Sequence, residues 1–145
     1  MTDPQATTYF DILADIGITK HYGSLTATNI LADGCRINQD TLVLDVGCGV
    51  DLSPSLLAKS RGAKIIGIDL VEKMALQARK WAQTHKTDGL VDFASADARV
   101  LPFPDNVFDV VMMESVNVFF ADKPSAIKEY LRVTKPGGFI GMTEM

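Results

Sequence analysis

The chain has 145 residues, 47% of them hydrophobic, which is enough for one buried core and too little for two ordinary domains. Its formal charge of -4 argues against nucleic-acid binding, because that activity depends on clustered Lys and Arg side chains. No apolar stretch is long enough to span a membrane, and the polar N-terminus lacks the apolar run of an export signal. We therefore expect a single domain over residues 1–145, with no nucleic-acid partner and no membrane span.

The cysteine pattern indicates a reducing compartment. Cys35 and Cys48 lie in unlike surroundings, and neither belongs to a CxxC pair or to a Cys/His cluster. Reduced thiols are typical of cytosolic proteins, in which glutathione and thioredoxin keep cysteines unpaired. We therefore expect a cytoplasmic protein without a metal site.

Taken in chain order, the first forty residues predict two helices, and the remainder alternates strands with helices. Apolar residues recur at helical spacing over residues 9–16 and again over 25–31, after a Gly-Ser break. Ser53 and Pro54 are a typical N-cap and first helical residue, so a helix is expected to begin there. The other expected elements are strands at 41–45, 63–68, 90–95, 107–113 and 139–145, helices at 72–85 and 121–133, and a turn at 135–138.

Strands that alternate with helices predict an α/β fold with a doubly wound, mostly parallel sheet. A parallel neighbour can be reached only through a connection of a dozen or more residues, which a helix provides. We expect a Rossmann-like sheet with the strand order 3-2-1-4-5 and with helices on both faces. In such sheets ligands bind beyond the carboxyl ends of the strands, so the residues that follow the strands are the candidates for function.

The first of these candidates is the glycine loop that follows the strand at 41–45. Asp45, Gly47, Cys48 and Gly49 stand there, and the two glycines let a ligand lie against bare backbone in front of a helix N-terminus. The position indicates a cofactor site. Glycine turns after strands are also common for structural reasons, so on this loop alone the two interpretations are equally good.

Two further acids follow the next two strands. Asp69 stands about twenty residues past the glycine loop, where an acid accepts hydrogen bonds from the ribose hydroxyls of an adenosine cofactor, and Leu70 lies beside it. The alternative is that Asp69 only caps the next helix. Asp97 is a candidate acceptor for the exocyclic amine of adenine, and Ala98 leaves room for the base. The alternative for Asp97 is an Asx turn.

Five sequence blocks occur in the order found in one enzyme family. They are VLDVGCG at 43–49, GID at 67–69, SADA at 95–98, LPFPDNVFD at 101–109 and LRVTKPGG at 131–138. Together they resemble the class I S-adenosylmethionine-dependent methyltransferases. The resemblance is strongest to the small-molecule branch, with methyltransferase type 11 domains, that includes the ubiquinone, menaquinone and sterol-type enzymes. Five blocks in the right order are far more specific than a glycine pattern alone.

The resemblance implies a cofactor and a reaction. The cofactor would be S-adenosyl-L-methionine, with S-adenosyl-L-homocysteine as product, and the substrate would be a small-molecule methyl acceptor. Glu114 and Ser115 would flank the methyl donor. Tyr22 would belong to a helical lid formed by residues 1–35, and a plain turn between two helices is an equally good interpretation of its segment. No catalytic base is assigned, since neither histidine stands in a convincing setting. The implied cofactor contacts are Tyr22, Asp45, Gly47, Cys48, Gly49, Asp69, Leu70, Asp97, Ala98, Glu114 and Ser115.

The chain departs from the family pattern in two ways. Asp51 stands where family members usually have a third glycine, which puts a carboxylate at the entrance to the cofactor-facing helix. The family sheet normally has seven strands, whereas this chain ends inside the fifth and lacks strands 6 and 7. We therefore expect a C-terminally incomplete domain, whose edge strand at 139–145 could pair with a second copy in a homodimer.

Two other functions stay open at the level of sequence. A nicotinamide-dependent oxidoreductase also uses a glycine turn and an acid after the second strand, but its G-x-G-x-x-G fingerprint would require glycine at Leu52. A non-catalytic cofactor-binding or assembly subunit would keep the fold without turnover, and Asp51 and the missing strands favour it. Methyl transfer accounts for more of the ordered blocks than either alternative.

Overall fold

The computed structural model describes residues 24–49, 53–114 and 121–143. The helix expected over 9–16 and the last two residues of the expected edge strand lie outside these ranges. No helix within them combines the length and the hydropathy that crossing a bilayer requires. The described elements in chain order are α1 (Ser24–Gly34), β1 (Leu42–Val46), α2 (Ser53–Arg61), β2 (Lys64–Asp69), α3 (Glu72–Thr84), β3 (Val91–Ser95), β4 (Phe108–Glu114), α4 (Lys123–Val133) and β5 (Thr134–Thr143).

The described strands form one parallel sheet in the order β3-β2-β1-β4-β5. This confirms the predicted doubly wound α/β class and the predicted strand order. At the centre of the sheet, Asp45 on β1 stands opposite Gly67 on β2 and Met112 on β4. Parallel sheets are covered on both faces, and this explains why β4 is a continuous apolar run whose residues 110–113 are at most 1% exposed.

Alternate side chains of the strands enter two hydrophobic clusters, one on each face of the sheet. The first lies under α1, α2 and α3 and includes Val43 and Phe93. The second lies under α4 and packs Phe108 and Met113 of β4 against Tyr130. Full burial of a side chain such as Phe108 contributes roughly 2–3 kcal/mol. Helices therefore cover both faces, as predicted.

α1 packs directly on the sheet. A Cβ built on Gly141 of β5 would lie 2.5 Å from Sγ of Cys35 and 2.8 Å from Cδ1 of Leu31, so the missing side chain lets this helix approach closely. Ala32 of the same helix is fully buried. Residues 24–35 of the expected lid region therefore contribute to the core, and the lid itself stays a prediction.

The start of α4 is set by a side-chain cap. Asp122 accepts a hydrogen bond from the backbone N–H of Ser125 at 3.2 Å and from its hydroxyl at 2.6 Å, and Pro124 stands in the first turn. Both features are typical of helix N-termini. The cap places the helix start at Lys123, two residues later than predicted.

The segment at 135–138 differs from the prediction of a turn before the last strand. β5 begins at Thr134, which stands opposite Phe108, whereas Phe139 stands opposite Val110. Residues 135–138 therefore face Asp109 alone, as a bulge inside the strand, and Lys135 Nζ lies 3.3 Å from Oδ1 of Asp109. Bulges of this kind insert extra residues without ending the pairing of two strands.

Candidate functional site

The glycine loop turns back over the end of β2 immediately after β1. The backbone N–H groups of Gly47 and Cys48 both donate to the carbonyl oxygen of Ile68, at 2.8 and 2.9 Å. Gly47 and Gly49 have φ values of 69° and 56°, in the left-handed region that glycine adopts without strain. The loop therefore presents bare backbone at the carboxyl edge of the sheet, as predicted.

Asp69 connects this loop to the start of α3. Its Oδ2 accepts the N–H of Gly49 at 3.0 Å, and its Oδ1 accepts the N–H of Val71 at 2.9 Å. Burial raises the pKa of Asp69, and the two backbone hydrogen bonds offset part of that rise. The N-cap residue of α3 is Val71, with no side-chain cap, so Asp69 does not cap the helix. Each carboxylate oxygen keeps a lone pair that a ligand hydroxyl could use.

Leu70 exposes an apolar side chain at the same edge of the sheet. It is 64% exposed although it follows a buried strand, and its carbonyl oxygen lies 3.4 Å from the hydroxyl of Ser95 on β3. An apolar side chain in this position can cover the flat face of a bound base.

Asp97 turns toward its own neighbour in the chain. Its carboxylate accepts the backbone N–H of Arg99 at 2.9 Å, which is an Asx turn, and also binds the Arg99 guanidinium at 2.8 Å. These contacts hold the pKa of Asp97 below its ordinary value. The side chain of Ala98 is buried in the cluster under α4, which leaves only its backbone available to a base.

Asp45 and Cys48 occupy more buried positions than Asp69. Asp45 is 5% exposed in the middle of the sheet. The side chain of Cys48 packs over Gly67 in the core, so its contribution to a ligand would come from the backbone. No group of three or more potential metal ligands occurs within the residues that the structure describes.

Glu114 ends β4 and meets a residue that sequence reasoning did not select. Its Oε2 accepts the hydroxyl of Thr28 on α1 at 2.8 Å. Thr28 is a buried polar residue in a helix otherwise recognised by its apolar pattern, and that burial could not be predicted from spacing. Tyr22, Asp51 and Ser115 lie outside the described residues.

A second contact that the sequence did not predict fixes the loop between β3 and β4. Arg132 donates to the carbonyl oxygens of Phe103 and Leu101, at 2.8 and 3.1 Å, and binds Glu129 through two nitrogens at 2.8 Å. Glu129 in turn accepts the N–H of Leu101 at 2.8 Å. The Arg132 guanidinium holds the pKa of Glu129 below its ordinary value. The segment that follows Asp97 is thus tied to α4.

The one histidine within the described ranges lies far from this edge. His85 follows α3, which runs back from the carboxyl end of β2 toward the amino end of β3. Its ring stacks on Trp81 with centroids 3.4 Å apart. His85 therefore lies away from the candidate site.

The strand order, the glycine loop and the acid after β2 define a Rossmann-like domain built for a nucleotide-type cofactor. Residues 44–142, more than half of the chain, match the family described as "Methyltransferase domain". The chain belongs to this methyltransferase family.

Known proteins resemble parts of the chain closely. The 2-methyl-6-phytyl-1,4-hydroquinone methyltransferase of Synechocystis sp. is 40% identical over 100 residues, which cover 69% of this chain and 30% of that enzyme. The [4+2]-cyclase SpnF, whose crystal structure is known, shares 33% sequence identity with this chain, and the two structures superpose with a TM-score of 0.79. The match covers 82% of this chain and 44% of SpnF.

A third comparison supports the fold alone. A SAM-dependent methyltransferase from Thiobacillus denitrificans, in complex with S-adenosyl-L-homocysteine, has a TM-score of 0.77 at 23% identity. The match covers 93% of this chain and 54% of that one. The chain thus spans less than a third of the Synechocystis enzyme and about half of each of the two solved structures.

Proposed function

We propose that this chain forms the cofactor-binding domain of an S-adenosylmethionine-dependent methyltransferase that acts on a small-molecule acceptor. The observation that carries the proposal is the Asp69 carboxylate, held by the N–H groups of Gly49 and Val71 beside a left-handed glycine loop. Family membership and the hydroquinone methyltransferase relative support the same reaction.

The proposed contacts follow the edge of the sheet from β1 to β3. Asp45 and the backbone of 47–49 would hold the methionine part of the cofactor, and Asp69 the ribose hydroxyls. Leu70, with Asp97 and the backbone of Ala98, would hold the adenine, provided that Asp97 exchanges part of its Arg99 contact for the base. Glu114 would lie at the methyl-donor end, with Ser115, and Tyr22 would belong to a lid within residues 1–35.

The reaction requires little side-chain chemistry. When bound, the cofactor supplies an electrophilic methyl group on a sulfonium, and the acceptor's lone pair forms the new bond while the electrons of the carbon–sulfur bond remain on sulfur. The protein's residues hold the two reactants in line and exclude water, which can supply much of the acceleration. No residue is assigned as a catalytic base.

Substitution of Asp69 tests the cofactor assignment. Hydrogen bonds to a charged group contribute about 1.5–3 kcal/mol each, so losing two should weaken S-adenosylhomocysteine binding by at least about 100-fold. We expect Asp69→Ala to abolish measurable binding in calorimetry while the circular dichroism spectrum is retained. Asp88→Ala, an exposed acid in the loop before β3, is the matched control. Equal affinity in Asp69→Ala and wild type would refute the ribose assignment.

A reaction other than methyl transfer is the second candidate. SpnF, 33% identical, is described as a cyclase, so this fold is not tied to one reaction. Calorimetry followed by a methylation assay on quinols and phenols separates binding from turnover.

A thermal shift with NADH but none with S-adenosylhomocysteine would instead favour an oxidoreductase.

We also propose that the edge of β5 pairs with a second copy of the chain. Among the described strands β5 pairs only with β4, and Met142 is 44% exposed. A strand at the edge of a sheet is a template for association. Wild type should elute as a dimer in light-scattering chromatography, and Met142→Lys as a monomer. Leu131→Lys on α4 is the control, and a monomeric wild type at high concentration would refute the dimer.

The proposed location is the cytoplasm. Cys35 and Cys48 are both buried and form no disulfide with each other, which suits a reducing compartment. Imaging of a fluorescent fusion tests this, and export of the fusion would contradict it.

A further inference from the structure

Thr28 is a buried hydroxyl that joins three separate elements at the candidate site. It lies on α1, is 2% exposed, and donates to Oε2 of Glu114 on β4 at 2.8 Å. Its oxygen also lies 3.4 Å from the hydroxyl of Ser53, the first residue of α2, which is 1% exposed. The helix before the glycine loop, the helix after it and the end of β4 therefore meet at one threonine.

The direction of these contacts follows from the available protons. A threonine hydroxyl has a single proton, and an ionised carboxylate only accepts. The Thr28 proton goes to Glu114, so a hydrogen bond between Thr28 and Ser53 would have to use the Ser53 proton. Hydrogen bonds to a carboxylate are among the strong ones, so Thr28 restricts where the charge of Glu114 can lie.

Glu114 shares a face of the sheet with Asp45. Side chains alternate along a strand, so Glu114 points to the same face as Met112, and Met112 stands opposite Asp45. Met112 belongs to the cluster under α1, α2 and α3. Two acids therefore occupy the carboxyl ends of neighbouring strands, on the face where α2 follows the glycine loop.

We propose that Thr28 is a positioning residue that fixes the Glu114 carboxylate at the methyl-donor end, so that the site favours the cationic sulfonium cofactor over its neutral thioether product. The inference rests on the proposed function. A carboxylate held in a partly buried site attracts a positive charge more strongly than one in water. S-adenosylmethionine and S-adenosylhomocysteine differ by a methyl group and a positive charge, so the change in the ratio of their dissociation constants between wild type and a charge variant measures this attraction.

Calorimetry of the whole chain with each ligand tests the proposal. Thr28→Val removes the hydroxyl and keeps the shape, Thr28→Ser keeps the hydroxyl, and Glu114→Gln removes the charge. We expect the preference for S-adenosylmethionine to fall about tenfold in Glu114→Gln and at least about threefold in Thr28→Val. It should stay within about twofold of wild type in Thr28→Ser and in Thr26→Val, an exposed position on the same helix.

The double variant adds a readout that a purely structural role would not move. Thr28→Val should not lower the ratio further in the Glu114→Gln background, because both changes act through the same carboxylate. A parallel loss of both affinities in Thr28→Val, at constant ratio, would overturn the inference. An unchanged ratio in Glu114→Gln would also overturn it, and this variant decides the matter if Thr28→Val does not fold. Failure of wild type to bind either ligand would refute the proposed function itself.

Discussion

Replacement of Gly67 by alanine is expected to destabilise the sheet, because β2 has no room for a side chain there. A Cβ built on Gly67 lies 2.7 Å from Cδ1 and 2.9 Å from Cε1 of Phe93, and 3.1 Å from Cβ of Cys48. Phe93 and Cys48 are 2% and 3% exposed, so neither can move into solvent. One excess methyl group costs about 1–3 kcal/mol, and the reduced freedom of the unfolded chain returns about 0.4–1 kcal/mol. The net loss is about 1–2 kcal/mol.

Urea and thermal unfolding measure this loss. For a chain of this size about 1 kcal/mol corresponds to about 4 °C in Tm, so the midpoint should fall by about 4–8 °C. Gly34→Ala is the matched control, because its Cβ meets nothing within 4 Å at the end of α1, and it should stabilise by up to about 1 kcal/mol. Trimming Phe93 to leucine in the Gly67→Ala background should cost less than it does alone. Equal urea midpoints for Gly67→Ala and Gly34→Ala would refute the steric explanation.

The titrating groups give three further predictions. Arg132 holds the pKa of Glu129 below 4.5, so the carboxylate stabilises the fold above that pH and ceases to do so as the pH falls through the lowered pKa. Wild type and Glu129→Gln should therefore differ in urea midpoint near neutrality and converge in acid. Burial raises the pKa of Asp69 above 3.8, and the protonated acid is a poorer acceptor. S-adenosylhomocysteine affinity should thus begin to fall at a higher pH than for an ordinary aspartate, and calorimetry on Asp69→Asn should show no such dependence. Burial raises the pKa of the Cys35 thiol, and Cys48 is buried as well. Neither should react with a disulfide reagent until urea unfolds the chain, and labelling of the folded protein would contradict this.

Local sequence patterns predicted the sheet, and the position of the glycine loop and Asp69 at its carboxyl edge, because both depend on residues close to strand ends. The apolar runs of β1, β2 and β4 stop at glycine or an acid, and parallel pairing then brings those ends to one edge. The contact between Asp69 and Gly49 follows from this arrangement, since each residue ends or follows one of two adjacent strands. The sequence therefore indicated that Asp69 and the glycine loop lie at the same edge of the sheet, but it did not predict the hydrogen bond between them.

Contacts that depend on distant partners could not be predicted in this way. Thr28 and Glu114 are 86 positions apart. The residues around Thr28 in the sequence do not indicate which side chain its hydroxyl contacts. The bulge at 135–138 has the local chemistry of a turn, and only its pairing with β4 makes it part of a strand. At Asp97 the structure contains the Asx turn with Arg99, and the adenine contact stays a prediction.

The double use of Asp69 has a consequence for how this architecture can diversify. The carboxylate that we propose binds the ribose also holds two backbone N–H groups in place. A natural replacement at this position would alter ligand preference and loosen the loop in a single step, which selection tolerates poorly. The side chain of Leu70 is exposed, so it does not hold the loop in place as Asp69 does. We therefore expect related proteins with different ligand preferences to differ at positions beside Asp69, such as Leu70, and to keep the aspartate.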